Sequence, residues 1–399
     1  YKDYNDAAVV VLMRTGAEGN DLPYDMSRYG GSADENYLEL NKDEKELLAE
    51  VHKSFDKVVV LISSANAMQM DFVDKAEYGI DAVLWYARPA GGIGSIAKIL
   101  SGAINPSGRL VDTYVHDNLS SAAMQNFGDY RYVNEDGSLS GYSYVNYAEG
   151  IYVGYKYYET RYEDAVLKQG NAGDYDYAAT VAYPFGYGLS YTTFERTLDS
   201  VTVSTADKTV TAVVTVKNTG AAAGKTAVQL YFQAPYIPGG VEKSAVQLLD
   251  YGKTNVLQPG ESQTLTITAD MQNMTSYDSA VGSFILDAGD YYFTVGNGAH
   301  EALNNILAAQ GYADRTDAPG NEKNVSSWNL ARRDEKTFSV TKEGVPVSNK
   351  LEDADLNYYQ PDTVTYLSRS DWSATWPKTY DGLAITENML ATLGNDFYT

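Results

Sequence analysis

The run AAVVVLM at residues 7–13 is a short, continuous apolar segment rich in Val. Two runs of the same kind follow it, KVVVLIS at 57–63 and IDAVLWY at 80–86. Such runs are typical of strands that are covered on both faces, as in a parallel sheet. DEKELLAEVHKSF (43–55) and GGIGSIAKILSG (91–102) supply the intervening and following helices. This βαβαβ order predicts an α/β sandwich with a mainly parallel sheet and helices on both faces.

The apolar period changes along the second half of the chain. After about residue 115 the alternation fades into a Tyr- and Gly-rich stretch, and from about 195 the period becomes two, as in VTVSTADKTVTAVVTVKNTG. Period two over about 100 residues predicts an all-β sandwich of the fibronectin type III or immunoglobulin kind. After Gly298 the chain turns polar and irregular. The predicted domains are therefore the α/β sandwich at 1–194, including a connecting region at 115–194, a fibronectin type III-like domain at 195–298, and an irregular linker at 299–399.

Composition excludes several classes of partner and site. The 53 acidic and 30 basic residues give a net charge of -23, which would repel nucleic acid and anionic membranes. Cys is absent and the three His match no metal-ligand spacing, so we expect no metal and no cofactor. No apolar run reaches the roughly 18 residues that a membrane span needs. The chain opens on a strand without a leader pattern, so localisation is not defined by the sequence, with a cytoplasmic site slightly favoured.

A single loop attracts attention as a candidate site. RTGAEGNDLPYD (14–25) follows the first predicted strand, and the carboxyl ends of parallel strands are where α/β sheets place their sites. Glu18 lies between two small residues in this loop. A loop glutamate is usually a solvated charge, so the loop alone does not assign Glu18 a function.

Five segments in order resemble the second half of glycoside hydrolase family 3 enzymes. They are AAVVVLMRTGAEGNDL, VVVLISSANAMQM, AVLWYARPAGGIGSIAKILSGAINPSGRLVDTY, EGIYVGYKYYE and PFGYGLSYTTF, and together they span residues 7–194. The later phrases NGAHEALNNILAAQGY and YLSRSDWSATWP are similar to the subgroup that places this half before the barrel. The resemblance implies that strands preceding Tyr1 and a (β/α) barrel lie outside these residues.

The resemblance also implies an activity, retaining hydrolysis of β-glycosides, with a β-glucosidase favoured. The family's acid/base is the Glu of a loop similar to the one at 14–25, which carries that role over to Glu18, while an aspartate nucleophile belongs to the barrel. Arg14 and Asp21 also match the family loop. Arg14 would orient a carboxylate or sugar hydroxyl or form a structural ion pair, and Asp21 would brace the loop. Leu22 stands where many relatives have Arg, so a sugar contact by that Arg cannot be carried over.

Two other carboxylates are alternatives that the sequence disfavours. Glu149 is a second Glu-Gly, but the family pattern treats its segment as packing. Asp371 lies in SRSDW, which resembles the barrel nucleophile's Ser-Asp-Trp, yet only the sandwich and linker precede it.

The expected partners are a β-linked gluco-oligosaccharide or aryl β-glycoside and a barrel domain, in the same polypeptide or as a separate chain. Homodimerisation is left open. The alternative function, motivated by the 35 Tyr and the sandwich, is a non-catalytic carbohydrate-binding or assembly module.

Overall fold

Residues 3–16, 22–87, 92–127, 130–145, 147–374 and 383–386 are described by a computed structural model. In chain order the strands are β1 (Ala8–Arg14), β2 (Val58–Ser64), β3 (Ile80–Trp85), β4 (Tyr114–Val115), β5 (Tyr130–Val133), β6 (Leu139–Tyr144), β7 (Val181–Tyr183), β8 (Phe194–Ser204), β9 (Thr209–Asn218), β10 (Ala227–Gln233), β11 (Gln247–Lys253), β12 (Ser262–Asp270), β13 (Ser276–Asp278), β14 (Ser283–Ile285), β15 (Gly289–Gly296) and β16 (Val325–Leu330). The α-helices are α1 (Lys42–Ser54), α2 (Gly94–Leu100), α3 (Ala122–Asn126), α4 (Tyr155–Leu167), α5 (Tyr177–Thr180), α6 (Ala299–Ala309) and α7 (Leu356–Tyr359). No helix in these ranges is long and apolar enough to cross a bilayer.

The chain divides into two units that interleave along the sequence. The first contains residues 1–106, 110–120 and 176–185, and the second contains 107–109, 121–175 and 186–399. The domain limits at 194 and 298 derived from the sequence therefore stay predictions.

The first unit contains the predicted parallel sheet, in the order β1-β2-β3. Val10 and Leu12 of β1 are buried with Leu48 of α1, and every residue of β2 except Val59 is buried. β2 is therefore covered on both faces, as its Val-rich run predicts. Asn41 caps α1: its side chain accepts from the Glu44 amide while the Glu44 carboxylate accepts from the Asn41 amide. On the other face of β1, Val9, Val11 and Met13 are exposed, so within the described residues β1 is covered on one face only and not on both as its apolar run predicts.

The second unit is built on two antiparallel sheets, β11-β10-β15-β16 and β12-β9-β8. Alternate residues of β9, from Val210 to Val216, are buried in the common core with β10 and β15, as period two requires. The predicted fold class, an α/β sheet followed by a fibronectin type III-like sandwich, is confirmed.

The segment after 298 differs from the expected irregular linker. Helix α6 begins directly after Gly298 and buries eight of its residues, and β16 extends the sheet by pairing with β15. The apolar residues of α6 recur at helical spacing, so this helix has a local signal that the prediction of a linker overlooked, whereas β16 is stabilised by its pairing with β15.

Candidate functional site

The candidate loop begins at the carboxyl end of β1, in the first unit. β1 ends at Arg14, beside Ser64 at the end of β2. Residues 17–21 lie outside the described residues, so the predictions for Glu18 and Asp21 are neither placed nor tested. Gly16 is described: a Cβ there would stand 2.8 Å from Asn66 Nδ2, so a larger residue at this position would have to displace the end of the Asn66 side chain.

Arg14 is almost fully buried and is held by a carboxylate and carbonyls. Its Nη1 and Nη2 donate to the two carboxylate oxygens of Glu44 at 2.7 Å each, and Nε donates to the Tyr37 carbonyl at 2.6 Å. Nη2 also donates to the Glu39 carbonyl. A bidentate pair in this setting fixes the guanidinium in one orientation. Arg14 therefore forms a structural ion pair, which is one of the two roles that the sequence suggested for it. A role of Arg14 in supporting the loop or in binding substrate stays a prediction.

Tyr37 extends this support to the first residue of the loop. Its hydroxyl accepts from the Thr15 amide at 2.9 Å and donates to the Thr15 carbonyl at 2.9 Å. Glu44 and Tyr37 were not singled out from the sequence. The N-x-x-E spacing of Asn41 and Glu44, which signals a helix start, is the one local sign of this arrangement. The chain thus enters the candidate loop from a rigid base.

Glu149 is buried inside the second unit and accepts a hydrogen bond from Asn126 Nδ2 at 2.5 Å. This contact is that of a packed side chain in the turn before α4.

Asp371 is exposed, and its Oδ1 accepts from the Ser373 amide at 2.8 Å. The contacts that hold SRSDW in place are made by the neighbours of Asp371. Arg369 donates to Glu163 at 2.7 Å and to Asp164, lies 4.2 Å from the centroid of the Tyr236 ring, and is only 2% exposed. We call this group the Arg369 socket.

Trp372 and Glu242 complete the attachment of this segment. Trp372 Nε1 donates to Asp164 at 2.9 Å, and Glu242 accepts from the Arg369 amide at 3.1 Å. Burial lowers the pKa of the Arg369 guanidinium, but Glu163 and Asp164 outweigh this effect and raise the pKa above its usual range. Arg369 and Trp372 of SRSDW are therefore buried anchors of this segment on α4, while Asp371 stays exposed.

A second ion cluster, in which Glu159 is buried, His300 is half-buried and Asp317 is exposed, joins α4 to α6. His300 Nδ1 lies 2.9 Å from Glu159 and Nε2 lies 2.9 Å from Asp317. Ionised carboxylates only accept hydrogen bonds, so both ring nitrogens carry protons and His300 is a cation. Burial alone would lower the pKa of His300, but the charge of Glu159 and the bonds to Asp317 and Glu159 raise it to about 9.

Stability should therefore fall at alkaline pH. Because the pKa of folded His300 lies above its unfolded value, the cluster's contribution is complete below about pH 6.5 and is lost as the pH rises through about 9. We expect the melting temperature to drop by roughly 5–10 °C across this window, and His300→Gln to start lower and to lose most of that dependence. His52→Gln, at an exposed histidine, is the control. An unchanged pH profile in His300→Gln would contradict this assignment.

Comparison with known proteins identifies two domain families along the chain. Residues 2–155 match the model of the glycosyl hydrolase family 3 C-terminal domain, and residues 226–299 match that of the fibronectin type III-like domain. The chain carries the C-terminal domain of glycosyl hydrolase family 3. The two matches follow the order predicted from the sequence, with the family 3 domain first and the fibronectin type III-like domain after it.

Several relatives and solved structures similar to this chain are named as β-glucosidases, whereas a relative from Bifidobacterium longum is named as an exo-α-(1→6)-L-arabinopyranosidase. A β-glucosidase from Ruminococcus albus is 35% identical over 305 residues, which are 75% of this chain and 28% of that protein. The crystal structure of a Paenibacillus barengoltzii β-glucosidase matches with a TM-score of 0.61 at 30% identity, covering 83% of this chain and 31% of that one. β-Glucosidase 3B from Thermotoga neapolitana, solved in complex with α-D-glucose, matches with a TM-score of 0.59 at 26% identity, covering 83% and 38%. The chain spans less than two fifths of these proteins.

Proposed function

We propose that this family 3 domain supplies Glu18 as the general acid/base of a retaining β-glycosidase, most simply a β-glucosidase, whose Asp nucleophile lies in a barrel domain outside these residues. The observation that carries the proposal is that the loop at 14–25 falls within the region matched to the family 3 model and begins at the carboxyl end of β1. The rigid base formed by Arg14, Glu44 and Tyr37 supports it, since a loop that delivers a catalytic group must be held firmly at its root.

The chemistry assigns a defined task to each carboxyl group. The barrel aspartate attacks the anomeric carbon as Glu18 gives its proton to the leaving oxygen, which breaks the glycosidic bond and forms a glycosyl-enzyme ester. Glu18, now ionised, takes a proton from water as that water displaces the aspartate, and the anomeric configuration is retained. The two carboxyl groups must approach to about 5–5.5 Å, so Glu18 has to reach a sugar held by the other domain.

The proposed substrates are β-linked gluco-oligosaccharides and aryl β-glucosides. The choice of sugar belongs to the residues that surround it, which the proposal places in the barrel. The alternative, a non-catalytic carbohydrate-binding module, predicts affinity for glycans by this chain alone.

Hydrolysis of p-nitrophenyl β-glucoside by this chain, alone and mixed with a separately expressed barrel domain, tests the division of labour. We expect no turnover by either piece and turnover in the mixture. Turnover by this chain alone would contradict the proposal. Glycan affinity of the chain without turnover in the mixture would favour the binding module.

A further inference from the structure

Two arginines of the second unit converge on a single hydroxyl. Arg109 Nη2 lies 2.9 Å from Thr226 Oγ1, and Arg196 Nη2 lies 2.8 Å from the same oxygen. The two guanidinium groups are therefore within about two hydrogen-bond lengths of each other. Arg196 also donates to Asn297 Oδ1 at 3.2 Å. Cations held this close repel each other unless an anion lies between them.

Neither arginine has a carboxylate partner among the described residues. Arg14 and Arg369, by contrast, are both paired with carboxylates. The Nε atoms of Arg109 and Arg196 are buried and have no hydrogen-bond partner within the described ranges. Buried donors are normally satisfied, and a chain with 53 acidic residues offers many possible acceptors. Two adjacent, unpaired guanidinium groups are thus an exception that requires an explanation.

The surrounding charges make the region more positive still. Lys225 directly precedes Thr226, and Lys253 pairs in register with Ala227 at the start of β10. Burial, followed by the charges of Lys225 and Arg109, lowers the pKa of Lys253. Burial and Arg109 also lower the pKa of Arg196 to about 10, with only Glu301 opposing them.

The chain packs tightly around Arg109. A Cβ on Gly188 would stand 2.8 Å from Arg109 Nη1 and 2.6 Å from the Gly108 carbonyl, so the turn can cover this arginine only with glycine at 188. The guanidinium is therefore held in place by the covering turn and by Thr226. Preorganised forks of N–H donors are the groups that bind carboxylate and phosphate oxygens most specifically.

We propose that Arg109 and Arg196 form a binding site for an oxyanion, a phosphate or a carboxylate, at the Thr226 end of the sandwich. The anion accepts hydrogen bonds from the two guanidinium groups and neutralises their repulsion, while Lys225 and Lys253 attract it. The occupant has two sources of the same chemistry: a free inorganic anion, or a carboxylate side chain from polypeptide outside these 399 residues. The site is independent of the proposed action of Glu18.

Inorganic phosphate is the probe. The melting temperature of this chain is measured with and without about 20 mM phosphate at constant ionic strength. It should rise by roughly 2–5 °C when phosphate is added. Arg196→Gln should abolish this rise. In chloride its melting temperature should stay close to the parent's, because the substitution removes the repulsion between the two arginines together with the hydrogen bonds of Arg196. Arg109→Gln provides the same test should Arg196→Gln not fold. Arg315→Gln, at an exposed arginine that lies over Tyr312, is the charge-matched control and should keep the rise.

The outcomes separate the alternatives. No rise in the parent chain, or an equal rise in the parent and in Arg196→Gln, would overturn the proposal. If the rise is specific to the two arginines, the same measurement on the longer protein with its barrel identifies the occupant. A retained rise there indicates a free anion, and its loss indicates a carboxylate of the protein's own chain.

Discussion

Replacing Glu18 with glutamine in the complete enzyme should lower kcat/KM for an alkyl β-glucoside by on the order of 10²–10⁴-fold. An alkoxide leaves poorly without a proton, and glutamine cannot give one. Dinitrophenolate leaves without protonation, so kcat/KM for dinitrophenyl β-glucoside should stay near that of the parent. For this substrate kcat should fall instead, because the second step still needs Glu18 as a base and the glycosyl-enzyme accumulates.

The contrast between the two leaving groups is what separates an acid/base from a residue that only supports the loop. Glu46→Gln removes an exposed carboxylate of α1 and serves as the matched control, with no expected change in either constant. An equal loss of kcat/KM on both substrates would indicate a positional or structural effect of Glu18. Parental rates on the alkyl glucoside would remove Glu18 from the mechanism.

Arg369→Met should destabilise the second unit by about 3–5 kcal/mol. The substitution keeps much of the side chain's volume but removes the cation from between Glu163 and Asp164, which are both buried. Two carboxylates then remain close together without a positive partner. Urea unfolding, followed by fluorescence of Trp372 and its neighbours, would measure the change.

Asp371→Asn is a control from the same motif. Asp371 is exposed and asparagine can still accept from the Ser373 amide, so we expect stability within about 0.5 kcal/mol of the parent. In the complete enzyme this variant should also keep its activity, since Asp371 is not the proposed nucleophile. Adding Glu163→Gln to Arg369→Met should restore part of the lost stability, because it removes one of the unpaired charges. If Arg369→Met lowered the free energy of unfolding by less than about 1 kcal/mol, the stabilising role of the Arg369 socket would be contradicted.

The sheet and the sandwich could be predicted because their signals are local. The Val-rich runs of β1 and β2 and the alternation in β9 are periodicities that short windows contain. The acidic residues of α4 could not be interpreted in this way. Glu159, Glu163 and Asp164 would be expected on a solvated face, yet all three are buried, because His300 and Arg369 reach them from more than 130 positions away.

The candidate site also combines features that the sequence could predict with features that it could not. Its location at the end of β1 follows from the βαβ order, and the resemblance assigned Glu18. The support from Glu44 and Tyr37 could not be predicted, since it depends on the path of the chain between Arg14 and α1. That Arg109 and Arg196 lack carboxylate partners among the described residues could not be predicted either, because it depends on segments far apart in the sequence that meet around Thr226.

Azide trapping in the complete enzyme tests the assignment of Glu18 most directly. In Glu18→Ala, azide would occupy the space of the missing carboxylate and attack the glycosyl-enzyme without needing a general base. With dinitrophenyl β-glucoside the account predicts that azide accelerates turnover and that the product is the β-glucosyl azide, with retained configuration. Formation of the α-glucosyl azide, or no acceleration by azide, would contradict it.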